Sequence, residues 1–130
     1  MSPIRDDPAL GSGSYVLRVL HERGITTKGG RERPQSDSIK DSNFENSCFV
    51  EGEIPIEELR LLFGGRRIAR IPVQLLRNEG YLLERRPLEA PEGCSRPESH
   101  IVCGPPETTS RGEYEAKARR IVRSEEIQII

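Results

Sequence analysis

Tryptophan is missing from this sequence, and phenylalanine and tyrosine supply only three residues each. That scarcity removes any aromatic platform on which successive nucleobases could stack. Cysteine is almost as rare. Cys48, Cys94 and Cys103 make an odd, sparse set, which excludes a disulfide framework and fits a reducing compartment. No apolar run approaches the roughly 20 residues of a membrane span. The first fourteen residues lack a hydrophobic stretch behind a basic start, so no secretory signal is expected and the protein is expected in the cytoplasm, away from membranes. A strong charge of either sign is also lacking. The net charge of −1 sets up no global attraction to nucleic acid or to a membrane surface.

What remains is a polar chain with a lean core. Apolar residues make up 34% of the 130 positions and charged residues 32%, enough for one domain around one core. Lysine contributes only Lys28, Lys40 and Lys117, so arginine carries nearly all the positive charge. Arginine offers rigid, forked donors suited to carboxylates and phosphates, although base composition of a genome produces the same skew.

Punctuation along the chain predicts an α+β domain over residues 14–130, with a short mixed sheet of about four to five strands and two to three short helices. Residues 1–13, with Pro3, Pro8, Gly11 and Gly13 among charges, read as a flexible arm. Tyr15 to Leu20 is a short apolar run compatible with a strand or a helical turn. Residues 22–46 read as one long polar loop, with Ile25, Ile39 and Phe44 its only large apolar side chains. Ser47–Val50, Tyr81–Arg86 and His100–Cys103 read as strands. Pro55 and Pro72 open two short helices, the first closed by Gly64-Gly65 and the second by Gly80. Residues 87–98 read as a loop. Arg111 to Arg123 shows helical spacing of Tyr114, Ala118, Ile121 and Val122, with Ser110 and Glu113 at capping-box distance. The apolar tail from Ile127 to Ile130 is expected to add an edge strand or to dock on a partner.

Several side-chain groupings invite chemistry. Cys94, His100 and Cys103, with Cys48 as a fourth, could ligate zinc, but their spacing fits no standard finger, and the cysteines on strands read more simply as small core residues. No metal and no cofactor is expected. Cys94, in a loop beside Arg96, is the one cysteine placed as a nucleophile, yet nothing fixes a base for it. Arginines at 66, 67, 70, 85, 86, 119, 120 and 123 could neutralise phosphates if they converged on one face. Interleaved carboxylates favour an ordinary mixed-charge surface. The glycine pairs lack the Lys-Ser/Thr of a phosphate loop and read as turns. The stretch from Arg33 to Ser42 gathers two cations, two carboxylates and three hydroxyls, and is the polar segment best composed to hold a ligand.

Leu17-Arg18, Arg33-Pro34-Gln35-Ser36, Lys40-Asp41-Ser42, Ser47, His100-Ile101-Val102-Cys103-Gly104 and Ala116-Lys117-Ala118-Arg119-Arg120 together resemble a group of small bacterial proteins of no established activity. The resemblance spans residues 15–123 and rests on short motifs. It implies that Arg18, Ser36, Lys40, Ser47 and His100 belong to one polar cluster, with the 22–46 loop facing His100.

Two functions follow as expectations. The first is a non-enzymatic accessory or interaction protein of a bacterial cell, linked to a defence or toxin-type system, with a protein partner or second copy engaged through the C-terminal tail. The second is a small enzyme or binding protein acting on a nucleotide or nucleic acid, similar by analogy to ADP-ribosyl transfer. Its catalytic candidates are Arg18, Ser36, Lys40 and His100, and its ligand-binding candidates Arg33, Ser38 and Ser47. Nucleic acid ranks below protein as the expected partner.

Overall fold

Val16 and Leu17 are neighbours in sequence, both fully buried, and they belong to two different hydrophobic clusters. Successive side chains of a strand point to opposite faces, so this requires a central strand covered on both sides. The computed structural model, which describes residues 3–87 and 93–130, places that strand, β1 (Tyr15–Val19), inside a six-stranded sheet. The hairpin β2 (Ile25–Lys28) and β3 (Arg31–Pro34) stands apart from it. β4 (Asn46–Val50), β5 (Ile68–Pro72), β6 (Leu82–Arg85), β7 (His100–Gly104) and β8 (Gln128–Ile129) complete the large sheet in the order β6-β7-β4-β1-β5-β8. Every ladder between these strands is antiparallel. Three helices join them: α1 (Ile56–Leu62), α2 (Val73–Asn78) and α3 (Arg111–Val122). The fold is therefore a single α+β domain, with a larger sheet than the four or five strands expected. No helix among the described residues is long and apolar enough to cross a membrane.

The larger core gathers Val16, Cys48, Ala69, Ile71, Leu83, Ile101 and Cys103 from the sheet. Leu76 of α2 and Tyr114, Ala118 and Ile121 of α3 close over them. The smaller core, Leu17, Phe49, Ile54, Leu59 and Ile68, lies under α1 on the opposite face. Helix starts follow the sequence reading within one residue: Pro55 and Pro72 are extended N-caps just outside α1 and α2. The Ser110 hydroxyl accepts from the Glu113 amide at 3.2 Å, closing the first turn of α3.

The tail proves to be an edge strand. The Ile130 amide and carbonyl both bond to Ile68, and Ile127 is buried in the larger core. Its apolar side chains are thus taken up inside the chain. Residues 3–10, read as a flexible arm, pack instead along the opposite edge. Ile4 and Leu10 are buried, the Asp7 amide donates to the Leu83 carbonyl, and the Leu83 amide donates to the Asp6 carboxylate. Arg77 reaches across to the carbonyls of Asp7 and Leu10. The middle of the loop read at 87–98 lies outside the described residues.

The polar segment 22–46 is not one loop. Gly29 and Gly30 both have positive φ, 62° and 76°, and form the two-residue turn of the β2–β3 hairpin. A 3₁₀ turn follows over Ser36–Ile39. Its far end is held by a backbone contact with no spare room. A Cβ at Gly104 would lie 2.0 Å from the Phe44 carbonyl oxygen, so only glycine lets the two segments approach. Phe44 itself has φ of +64°, a left-handed conformation rare for a bulky residue, and its ring stacks on Tyr114 at 4.5 Å.

Candidate functional site

The sequence candidates divide among three environments. Arg18 emerges from β1 toward the 36–41 segment, where each of its three side-chain nitrogens is engaged within the chain. Nε donates to the Ser38 carbonyl at 2.8 Å, Nη1 to the Ser47 carbonyl at 2.7 Å, and Nη2 to both oxygens of Asp41 at 3.0 Å. A guanidinium so engaged is a staple for the segment above it. Ser38 is buried and its hydroxyl meets the Gly24 carbonyl. The Tyr114 hydroxyl donates to the Asp41 carbonyl and accepts from the Asn46 amide, whose oxygen accepts from the Asp41 backbone N–H. The Tyr81 hydroxyl donates to the Ile39 carbonyl. Burial pushes both phenols far above the ordinary tyrosine range, so they remain neutral donors. Lys40 is half-buried beside this network without a hydrogen bond among the described residues, and Ser47 offers its carbonyl from an exposed position.

His100 is elsewhere. It pairs in register with Phe49 and rests edge-on against that ring at 5.3 Å, on the face of the smaller core. Its Nδ1–H donates to the Arg86 carbonyl at 2.7 Å, and burial lowers its pKa, which keeps the ring neutral. The sheet therefore separates His100 from the Arg18 network. Arg18, Ser36, Lys40 and His100 do not form one cluster. The metal candidates are split in the same way. Cys94 packs against the smaller core, while Cys48 and Cys103 lie in the larger one, where the neighbouring Cys48 and burial hold the Cys103 thiol well above the ordinary thiol range. No group of three or more potential ligands gathers among the described residues.

The arginine clusters do not converge either. Arg67 pairs with Glu32, Arg70 with Glu51, Arg85 with Glu53, Arg86 with Glu45 and Glu84, and Arg120 with Glu79. These are surface and rim contacts of small individual value. Arg119 and Arg123 are different. They project from the last turns of α3 toward the hairpin, and together with Thr26, Lys28, Arg33, Pro34, Gln35, Ser36 and Val122 they line an open cleft of about 320 Å³. Among the described residues that line this space, four are cations and none is a carboxylate. Among the described residues, none of the four makes an ion pair or a side-chain hydrogen bond.

The cleft is held open by groups outside it. Arg31 leaves the same hairpin to donate to the carbonyls of Ser124 and Ile127, tying the hairpin to the end of α3. The Gln35 amide donates to the Gly24 carbonyl and closes the base of the hairpin. Val122 and Pro34 are buried and form the floor. Arg33 and Ser36 were sequence candidates, and Arg119 and Arg123 were weighed as phosphate contacts. Thr26, Lys28 and Gln35 were missed. Their signal was present, since Gly29-Gly30 between Ile25-Thr26-Thr27-Lys28 and Arg31 marks a tight hairpin that brings Lys28 and Arg33 to one wall. No protein-family model matches the chain, and no curated protein or solved structure matches it significantly.

Proposed function

We propose that this chain is a non-enzymatic binding module whose ligand carries phosphate groups and sits in the cleft between the β2–β3 hairpin and α3. One observation carries the reading: among the described residues, Lys28, Arg33, Arg119 and Arg123 line a single concavity with no carboxylate in its lining, whereas eight arginines elsewhere reach carboxylates. Unneutralised cations around one space raise its potential and attract anions. Thr26, Gln35 and Ser36 add neutral donors between the charges. The negative end of α3 also lies here, so the attraction comes from side chains rather than from a helix terminus. The non-catalytic part of the proposal rests on the lining itself. It includes no histidine, cysteine or carboxylate, the side chains best suited to proton transfer or covalent attack at neutral pH.

The test is calorimetric titration of the purified protein with inorganic tripolyphosphate at low salt, beside the triple variant Arg33→Ala, Arg119→Ala, Arg123→Ala. Binding by the native chain and its loss in the variant are expected. A native chain that binds neither tripolyphosphate nor an oligonucleotide overturns the proposal, as does undiminished binding in the variant.

A further inference from the structure

We infer that the ligand of this cleft is a single-stranded nucleic acid, gripped by its phosphodiester chain without regard to base. The inference rests on the phosphate-binding reading and narrows it through the spacing of the charges. Arg119 and Arg123 are four residues apart on α3, which separates their backbone origins by about 6 Å along the helix axis. On the other wall, Arg33 lies opposite Thr26 in the hairpin, and Thr26 is two residues from Lys28, a separation of about 7 Å along the strand. Each wall thus carries two cations at a pitch of about twice the 3.4 Å rise per nucleotide of a stacked strand. Two rows of this kind lining one cleft suit a string of charges that runs through it, rather than one compact anion.

Width and lining narrow the class further. A duplex is wider than its own roughly 12 Å major groove, and it carries its phosphates outside, so it cannot present them to both walls of a concavity of about 320 Å³. A single strand can enter. Proteins that read or hold bases in single strands do so largely by stacking them on aromatic rings. No aromatic residue lines this cleft. The three phenylalanines and three tyrosines lie elsewhere: Phe49 and Phe63 pack together on the smaller core, Phe44, Tyr81 and Tyr114 on the larger, and Tyr15 lies under Arg70. The bases therefore project outward, and recognition falls to the phosphates.

This mode has a quantitative signature. Neutralising phosphates releases counterions, and for single strands the logarithm of the binding constant falls with the logarithm of salt at about 0.7 per phosphate contacted. Four cations give a slope near −3, and each arginine removed reduces it by about 0.7. Fluorescence anisotropy of labelled twelve-nucleotide strands would measure it for dT, dA, an RNA of the same length, and an abasic deoxyribose-phosphate chain. The expected result is affinity equal within about two-fold for all four, with the stated slope and its stepwise loss in Arg33→Ala and Arg119→Ala. Abasic chain binding ten-fold weaker than dT overturns the inference. So does tripolyphosphate, a nucleoside triphosphate or duplex DNA binding as tightly as the twelve-mer, although tripolyphosphate binding would leave the phosphate-binding reading standing. A slope untouched by both substitutions places binding elsewhere and overturns both. Because neither substituted side chain makes an ion pair or a side-chain hydrogen bond among the described residues, unchanged melting temperatures will accompany lost binding.

Discussion

Residues 25–35 and residues 36–46 are both polar, and they differ in the fate of their polar groups. In the second segment the polar groups of Ser38, Asp41 and Asn46 are turned inward. Asp41 meets Arg18 and Asn46, the Ile39 carbonyl meets Tyr81, and the Ser38 carbonyl meets Arg18. In the first segment Lys28 and Arg33 project into an open cleft and meet no carboxylate. The contrast teaches that a run of polar residues says nothing by itself about binding. A polar group that is buried must find a partner within the protein, and it is then no longer available to a ligand. A group left unpartnered in a concavity is the more informative one.

The comparison can be broken most sharply at Arg18. Arg18→Met would leave the Ser38 carbonyl and Asp41 without their charged partner and should destabilise the fold by about 3 kcal/mol, read by urea denaturation. A loss below about 1 kcal/mol would mean that the 36–46 segment does not depend on its staple. Tyr114→Phe is the milder cut. It removes one hydroxyl that bonds the Asn46 amide and the Asp41 carbonyl, and a loss of about 1–2 kcal/mol is expected.

A smaller effect is tied to pH. His100 is buried neutral, with its pKa held below the ordinary 6.5 by burial. The unfolded chain therefore binds a proton near pH 6.5 that the folded chain does not, and stability falls as pH drops from 6.5 through the depressed folded value. Above 6.5 the contribution is complete. His100→Gln should flatten that part of the stability profile while leaving the acidic limb, set by carboxylates, in place. An unchanged slope between pH 6.5 and 5 would show that the histidine is not the group responsible.

The smallest effect belongs to the cleft. Arg119→Ala and Arg123→Ala should each change stability by no more than about 0.5 kcal/mol, because neither side chain holds the fold. A larger loss would erase the distinction between the two segments.

Much of the architecture was legible in the residues. Proline and glycine marked α1 and α2, apolar spacing marked α3, and β-branched or aliphatic runs marked β4, β6 and β7. The 22–46 region was misjudged because its length and polarity outweighed the Gly29-Gly30 turn signal. The arm was misjudged because Ile4 and Leu10 are isolated apolar residues among charges, and their burial depends on an edge strand some eighty residues later. The site was only partly legible. Arg33 and Ser36 fall in the cleft, but Arg18 and His100 were drawn to attention by residue type, and their partners come from distant segments. Which arginines have carboxylate neighbours is a matter of tertiary placement, and no local pattern distinguishes Arg120, paired with Glu79, from Arg119, which is not.

The strand order has a consequence for how the chain reaches this state. β1 precedes every other strand of the large sheet in the chain, yet it takes a central place, and Val16 must wait for both Val50 and Ile71. The arm must wait for Leu83, and the rung between Ile68 and Ile130 joins residues far apart in the chain. Such long-range pairing is slow, in the millisecond-to-second range typical of non-local β topologies. Until β5 is made, β1 can pair only with β4, and its other edge stays open. Productive folding is then a concerted event, and removal of residues 127–130 would take away the strand that closes the β5 edge of the sheet.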